Sequence, residues 1–275
     1  MAAFFVFLRY LLLYDNNNSN NNITDMAIYL KKFENHTQYE TYINGSGAIL
    51  PNVSLCVQEG DVHYNPSSPT PPTPSHDYVE IGGIKWATMN VGATSITDTG
   101  LYFQWGDTQG YTAAQVGEGE GQKLFGCTDY KWTTDYCSTF TKYNFEDELI
   151  VLQPSDDAVV AAWGDGWRIP TTAEFQALGN AVNTAWTENY NSSGVAGLIC
   201  TDKTDSSKVL FFPACGHVDH GEMYDVGDEG YYLSSIRENS EETYNQFMYL
   251  NSTSIRPSDY QNRYLGYSIR GVLDA

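Results

Sequence analysis

Five cysteines, Cys56, Cys127, Cys137, Cys200 and Cys215, are the first residues to weigh for chemistry. Their number is odd and no Cys-x-x-Cys pair occurs, so the spacing of a structural zinc site is absent. Cys127 and Cys137 either close a short loop or stand, like the rest, as isolated buried thiols. A thiol becomes a nucleophile beside a base, a cation or a helix N-terminus. Cys200 and Cys215 lie on either side of a turn in what read as buried strands, and nothing supports activation of either thiol. No Gly-x-Ser-x-Gly elbow is present. Paired carboxylates are too numerous for any one pair to point to glycoside hydrolysis. No catalytic residue is assigned.

Metal chemistry has two candidates. His217 and His220, with Asp219 between them, offer two imidazoles but no third ligand. Asp219, Glu222, Asp225, Asp228 and Glu229, followed by Glu238, Glu241 and Glu242, form an acidic run. Calcium, a hard cation that takes six to eight oxygens, is an ion such carboxylates could bind, yet the Asp-x-Asp-x-Asp-Gly loop pattern is missing. Charge runs of this kind are ordinarily solvated loops. No metal ligand is assigned, and calcium is carried only as an ion the composition would accept.

The residues between Tyr231 and Tyr267 make contacts of another kind. Of these 37 positions, 18 are Tyr, Asn, Ser or Asp. Tyr offers a large, stiff, amphipathic contact at low entropic cost, and Ser and Asn offer adaptable hydrogen bonds. An active site would show a few reactive groups placed singly. The pattern reads either as a binding face or as a wet β-meander edge with ordinary surface tyrosines. Apolar anchors recur through it: Met248, Leu250, Ile255, Leu265, Ile269 and Val272. Strand alternation places Met248, Leu250 and Ile255 inward, with Tyr249 and Asn251 outward. Candidate contact residues are Tyr232, Asn239, Tyr244, Asn245, Phe247, Tyr249, Asn251, Ser258, Asp259, Tyr260, Asn262 and Tyr264. Gly230 and Gly266 are read as turns, and Arg270 as one half of a structural ion pair.

The chain that must position these groups has 275 residues, enough for one large domain or for a small and a medium one. Its net charge of -20 repels phosphate backbones and anionic lipid, which argues against nucleic acid and a peripheral membrane role. Residues 1–14 are apolar but carry Arg9 and lack a basic lead and a cleavage site, a poor match to a signal peptide. They are too short to span a bilayer. Met26 opens a well-patterned segment, so translation is expected to start there, with 1–25 an upstream extension. Residues 26–65 read as a small attachment module: a strand over 27–32, a helix over 35–43 and a hairpin from 51–56 and 61–64. Forty residues bury little surface alone, so this module is expected to pack on a partner or oligomerise. Residues 66–77 are proline-rich, an extended spacer.

The main domain, 78–275, is expected to be α+β. Two helices are placed over 155–162, capped by Ser155, and from Thr171 or Thr172, where Thr171-x-x-Glu174 forms a capping box and Phe175 and Leu178 face inward. The apolar run KVLFFPACG reads as a buried strand.

Six segments in order, KWATMNVGA, YFQWGDT, SDDAVVAAWGDGWRIPTTAEF, LFFPACG, GYYLSSI and GYSIRGV, resemble the Fibrobacter succinogenes major paralogous domain. That family is similar to the formylglycine-generating-enzyme type of C-type-lectin-like fold. Within it the likeness is to variable proteins of diversity-generating retroelements. In those, adenine-directed mutagenesis of AAC codons yields Asn, Tyr, Ser, Asp, Thr, Ile and His on a binding surface. The stretch YETYINGSGAILPNVSLCVQEGDVHYNP resembles a leader module on tail and surface proteins of Bacteroidales phages. Two positions depart from the family: Leu233 stands where Trp is usual, and Gly271 where Pro is common. The resemblance implies a loop-rich fold of short antiparallel sheets and two helices. It also implies that Ser268 and Arg270 are scaffold. By the same resemblance the protein is a receptor-binding adhesin, on a phage tail or a bacterial surface, with a bacterial surface protein or glycan as partner. A tail or fibre would be held through 26–65, and a homo-oligomer is compatible. The alternatives are a structural or adhesive cell-surface protein and a cysteine-dependent oxidase. The oxidase needs a late cysteine pair that the chain lacks.

Overall fold

The computed structural model describes the backbone of 10–14, 29–32 and 54–55, and residues 76–164 and 166–274 with their side chains. The chain divides into two compact units, Met1–Pro72 and Thr73–Ala275. In the first, β1 (Tyr10–Tyr14), β2 (Tyr29–Lys32) and β3 (Ser54–Leu55) form an antiparallel sheet ordered β2-β1-β3. The strand expected over 27–32 is present as β2, and β3 falls within the arm expected over 51–56. The helix over 35–43, the arm over 61–64, Cys56 and most of the proline spacer lie outside the described residues.

The second unit begins with a hairpin of β4 (Tyr78–Ile81) and β5 (Ile84–Ala87). Its two-residue turn is Gly82-Gly83, at φ +64° and +78°. A primed hairpin turn needs that backbone, and glycine reaches it without strain. The last strand, β15 (Val272–Leu273), pairs with β5 on one side and with β6 (Trp167–Arg168) on the other. The sheet β4-β5-β15-β6 thus joins the two ends of the unit.

Two α-helices are present among the described residues. α1 (Ala158–Trp163) starts three residues later than expected. Pro154–Asp156 forms a 3-10 turn, and the cap is Asp157, not Ser155. Asp157 Oδ1 accepts from the backbone N–H of Val159 and Val160 at 2.8 and 3.1 Å, and Oδ2 from Ile169 at 2.9 Å. A carboxylate can satisfy the orphan donors of the first turn and a neighbouring segment at once, which a serine hydroxyl cannot. α2 (Thr172–Ala181) has the expected capping box: Glu174 N–H donates to Thr171 Oγ1 and Thr171 N–H returns to Glu174 Oε2. Phe175 and Leu178 are fully buried.

The rest is a run of antiparallel strands. β7 (Val182–Thr187), β8 (Gly197–Asp202) and β9 (Val209–Pro213) form a meander. β10 (His217–Asp219) and β11 (Glu222–Tyr224) form a hairpin. β12 (Glu229–Arg237), β13 (Tyr244–Asn251) and β14 (Ile255–Asn262) form the sheet β12-β13-β14. The domain is therefore α+β, with short antiparallel sheets, two short helices and a long irregular stretch over 88–157. Among the described residues no helix is long and apolar enough to cross a membrane.

Two apolar clusters sandwich β12 and β13. On one face Trp86, Phe175, Leu210, Phe212, Met248 and Leu250 pack with Tyr232. On the other Trp105, Trp163, Leu233, Phe247, Tyr249 and Tyr267 pack together. Each fully buried side chain of this size contributes roughly 1.5–3 kcal/mol relative to exposure. The irregular stretch is held to this core by specific bonds. Trp105 Nε1 donates to Ser234 O at 2.9 Å and Tyr130 Oη to Trp105 O at 2.9 Å. A disulfide joins Cys127 and Cys137 within it.

Candidate ligand-binding surface

The sheet β12-β13-β14 carries most of the candidate contact residues, and its register decides which of them reach solvent. Tyr232 lies opposite Met248, and Tyr231 opposite Tyr249. Residues opposite one another share a face. Met248 is a core anchor, so Tyr232 must be one too. It is fully buried, and its hydroxyl donates to Pro213 O at 2.7 Å. Asn245, Phe247 and Tyr249 are also buried. These four are corrections to the sequence-based list. Alternation assumes that one face of a strand is wet, but β13 is covered on both faces, so its odd and even positions both turn inward.

Eight candidates do reach solvent: Asn239, Tyr244, Asn251, Ser258, Asp259, Tyr260, Asn262 and Tyr264. Five lie on β14 or the turn after it. β14 is an edge strand, and Ser258, Tyr260 and Gln261 on it are exposed along with Arg256. Edge position also explains how the strand tolerates Pro257, which has no N–H to give a ladder. Tyr260 stacks on Tyr244 at 5.8 Å between ring centroids. A bulge between the pairs Phe247–Asp259 and Tyr249–Arg256 re-aims the first half of β14.

The anchors stand where expected: Met248, Leu250, Leu265, Ile269 and Val272 are buried and Ile255 is half-buried. Leu233 packs in the core. Gly230 and Gly266 are not tight turns. Gly230 lies within β12, where a Cβ would come within 2.8 Å of Leu250, and at Gly266 one would meet Phe125 at 2.5 Å. Both are places where packing leaves no room for a side chain. Arg270 is scaffold, but among the described residues it forms no ion pair. Its donors go to Asn90 Oδ1 and to the carbonyls of Ala87, Thr88 and Phe211.

The structure adds neighbours that the sequence reading missed. Tyr231, half-buried, stacks on Tyr267 and donates its hydroxyl to Glu229 at 2.5 Å. The hydroxyl of Tyr249 also donates to Glu229 and accepts from Asn251 Nδ2 at 2.7 Å. Arg256 lies 4.1 Å over the Tyr249 ring and bridges to Asp259 at 3.0 Å. Burial, with the acceptor Glu229 beside them, pushes both tyrosine pKa values up, so both stay neutral donors. His217 stacks on Tyr224 at 5.4 Å, packs against Tyr231 at 4.6 Å, and places Nδ1 3.4 Å from Asp225. Burial lowers the His217 pKa, against the acids Asp225, Asp219 and Glu229. The signal for Tyr231 was available in principle: once Met248 faces inward, antiparallel pairing sends Tyr232 with it and Tyr231 to the other face.

Among the described residues no group of three or more His, Cys, Asp or Glu side chains is placed to share a metal ion. Cys200 and Cys215 are free and buried. Burial pushes the Cys200 thiol up to about 12 and raises that of Cys215 as well, so both are held as thiols. What the surface offers is aromatic stacking, neutral tyrosine hydroxyls and carboxylates already partnered by hydroxyls, Arg256 or His217.

No protein-family model, no curated protein and no solved structure matches the chain.

Proposed function

We propose that residues 78–275 form a C-type-lectin-like ligand-binding domain of the formylglycine-generating-enzyme type. In this reading the protein is a receptor-binding adhesin on a phage or prophage tail, and its surface over 231–267 is diversified by a retroelement. The observation that carries this is the division of labour on β13, β14 and the turn to Tyr264. Apolar anchors hold the backbone, while Tyr244, Asn251, Ser258, Asp259, Tyr260, Asn262 and Tyr264 reach solvent. Residue types reachable from an AAC codon occupy most of the wet positions. A stiff sheet with replaceable outer side chains lets contacts vary without unfolding the scaffold.

The partner is a bacterial surface protein or glycan, met by stacked tyrosines and hydrogen-bonding amides. Weak single sites would gain from avidity on an oligomeric tail. The Cys127–Cys137 disulfide supports display outside a reducing cytosol. It supports equally the second reading, an adhesive protein of the cell surface, and mass mapping of the native N-terminus separates the two.

The test is attachment of the full chain to host cells with Tyr244, Tyr260 and Tyr264 all changed to Ala. Loss of attachment is expected in a chain that is still folded at the assay temperature, and well beyond what its lower stability accounts for. Undiminished attachment would move the binding site elsewhere. Gene copies from one population are expected to vary at these wet codons while Met248, Leu250, Arg263 and Arg270 stay fixed.

A further inference from the structure

The face of the sheet that packs on Trp105 holds two arginines, Arg237 and Arg263, 2% and 0% exposed. Among the described residues neither guanidinium has a carboxylate within salt-bridge distance. Arg237 donates to the carbonyls of Leu149 and Glu238. Arg263 donates through Nη1 to the carbonyl of Tyr143 at 2.9 Å and, more weakly, to that of Lys142 at 3.4 Å. Among the described residues its Nε and Nη2 have no hydrogen-bond partner, and neither atom contacts solvent.

Those two atoms form one edge of the guanidinium. Their N–H bonds run parallel and make the fork that takes two acceptors side by side. The ring of Phe140 lies 3.8 Å from Arg263 Cζ, with Trp105 and Tyr130 at 5.6 and 5.7 Å. Ring stacking covers the faces of the guanidinium but leaves its edges to hydrogen-bond acceptors. The two acids whose charge acts on Arg263 make their hydrogen bonds elsewhere. Asp147 accepts from the N–H groups of Tyr143, Asn144 and Leu149, and Glu242 accepts from that of Phe145. Burial lowers the pKa of Arg263 and the charge of Arg237 adds to this, against Tyr130, Glu242 and Asp147.

Arg270 is the internal control. It too is fully buried without a carboxylate, yet the same edge is filled: Nε meets Asn90 Oδ1 at 2.8 Å and Nη2 meets Phe211 O at 3.0 Å. This fold therefore satisfies a buried arginine fork with protein oxygens where it can. At Arg263 it supplies none. The other unpartnered buried atoms are single ones, on Trp86, Gln104, Asn245 and His217; the first three belong to neutral groups, for which a missing partner costs less than for a cation, and His217 Nδ1 has Asp225 at 3.4 Å.

We propose that the Nε–Nη2 fork of Arg263 holds a small monovalent anion, chloride under ordinary conditions, sealed behind the sheet between Phe140 and β13. The seal limits the size, since two donors with no contact with solvent leave place for a single small ion at most. The charge follows from two buried cations on one face, neither with a carboxylate within salt-bridge distance among the described residues; Asp147 and Glu242 act on Arg263 only from beyond that distance. Asn245 lies two positions along that face, and its Oδ1 also lacks a donor, which a water beside the anion supplies. Arg263 sits between Asn262 and Tyr264, so the ion would stiffen the segment that displays both. The proposal does not depend on the function assigned to that surface.

Two measurements test it. Crystals of the full chain soaked in sodium bromide should show an anomalous peak in the plane of the Arg263 guanidinium, at the Nε–Nη2 edge. Ordinary water density there, or bromide only at the surface, overturns the proposal. In solution, replacing gluconate with chloride at constant ionic strength should raise the apparent folding constant about tenfold for each tenfold rise in chloride above its Kd. The variant Arg263→Lys keeps the charge and loses the fork, and its folding constant should not respond to chloride. A wild-type response that Arg263→Lys retains in full would also refute the site. If that variant does not fold, the bromide map on the wild-type chain decides alone.

Discussion

β13 and β14 lie side by side, pair residue to residue and draw on the same types, yet they do different work. In β13, five of eight residues are buried: Asn245, Phe247, Met248, Tyr249 and Leu250. In β14 none is buried. The difference lies in position. β13 has a strand on each edge and an apolar cluster on each face, so every side chain meets protein. β14 has one paired edge, a bulge and a proline, and its side chains meet water. A tyrosine is therefore core or contact according to its neighbours on the sheet, not its identity. Tyr232, Tyr249 and Tyr260 show three degrees of this, from fully buried to 56% exposed.

The sharpest way to break the comparison is to truncate one side chain on the buried strand. Phe247 is 4% exposed and packs against Tyr231 and Tyr267 with ring centroids 5.6 and 5.0 Å away. Phe247→Ala should lose about 3–5 kcal/mol, the transfer term plus the cavity left behind. Denaturant titration would show a lower midpoint at an unchanged slope. A loss under about 1 kcal/mol would mean that Phe247 is a contact residue after all, as the sequence pattern alone reads it.

This marks where sequence reasoning holds and where it stops. The α2 capping box and the anchors Met248, Leu250, Ile269 and Val272 were legible because their signals are local: a side chain three residues from its partner, or an apolar residue at strand period. The class of the fold followed from the same local signals. Sorting Tyr231 from Tyr232, or Tyr249 from Tyr260, needs knowledge of what covers each face of the sheet. That cover comes from Trp105, Phe212 and Tyr267, residues distant in sequence. Asp157 replaced Ser155 as a cap for a similar reason, because its second oxygen serves Ile169 across the chain. The buried arginines were the least legible, since a sequence gives no hint that Arg270 will find only neutral acceptors.

A smaller effect depends on pH and comes from outside both strands. His217 lies at the margin of the surface, with its pKa lowered mainly by burial and partly restored by Asp225, Asp219 and Glu229. His76, stacked on Trp163 at 4.1 Å, is shifted the same way, by burial against Asp77. A histidine with a lower pKa folded than unfolded binds fewer protons in the native state, so stability rises with pH. The contribution is complete above the unfolded value of about 6.5 and is lost as pH falls through that value to the folded one. Stability should thus fall between pH 7.5 and 5.5, before most carboxylates titrate. His217→Asn should flatten part of this slope and leave the rest to His76. An unchanged slope would show that His217 is as solvated in the native state as in the unfolded one.

The smallest expected effect on stability is at Tyr260. Tyr260 is 56% exposed, and among the described residues its one aromatic neighbour is Tyr244 and β14 has no strand beyond it. Removing the ring leaves no cavity, because solvent already occupies the far side. Tyr260→Ala should therefore cost no more than about 1 kcal/mol, the range of a single cross-strand pair. If the proposed binding role is right, the same change weakens attachment well beyond what stability accounts for, since a rigid aromatic contributes most where it meets a partner. A loss of 3 kcal/mol or more, as large as that expected for Phe247→Ala, would undo the distinction. It would mean that β14 is as much a part of the core as β13, and that a surface free to vary must be sought on another element.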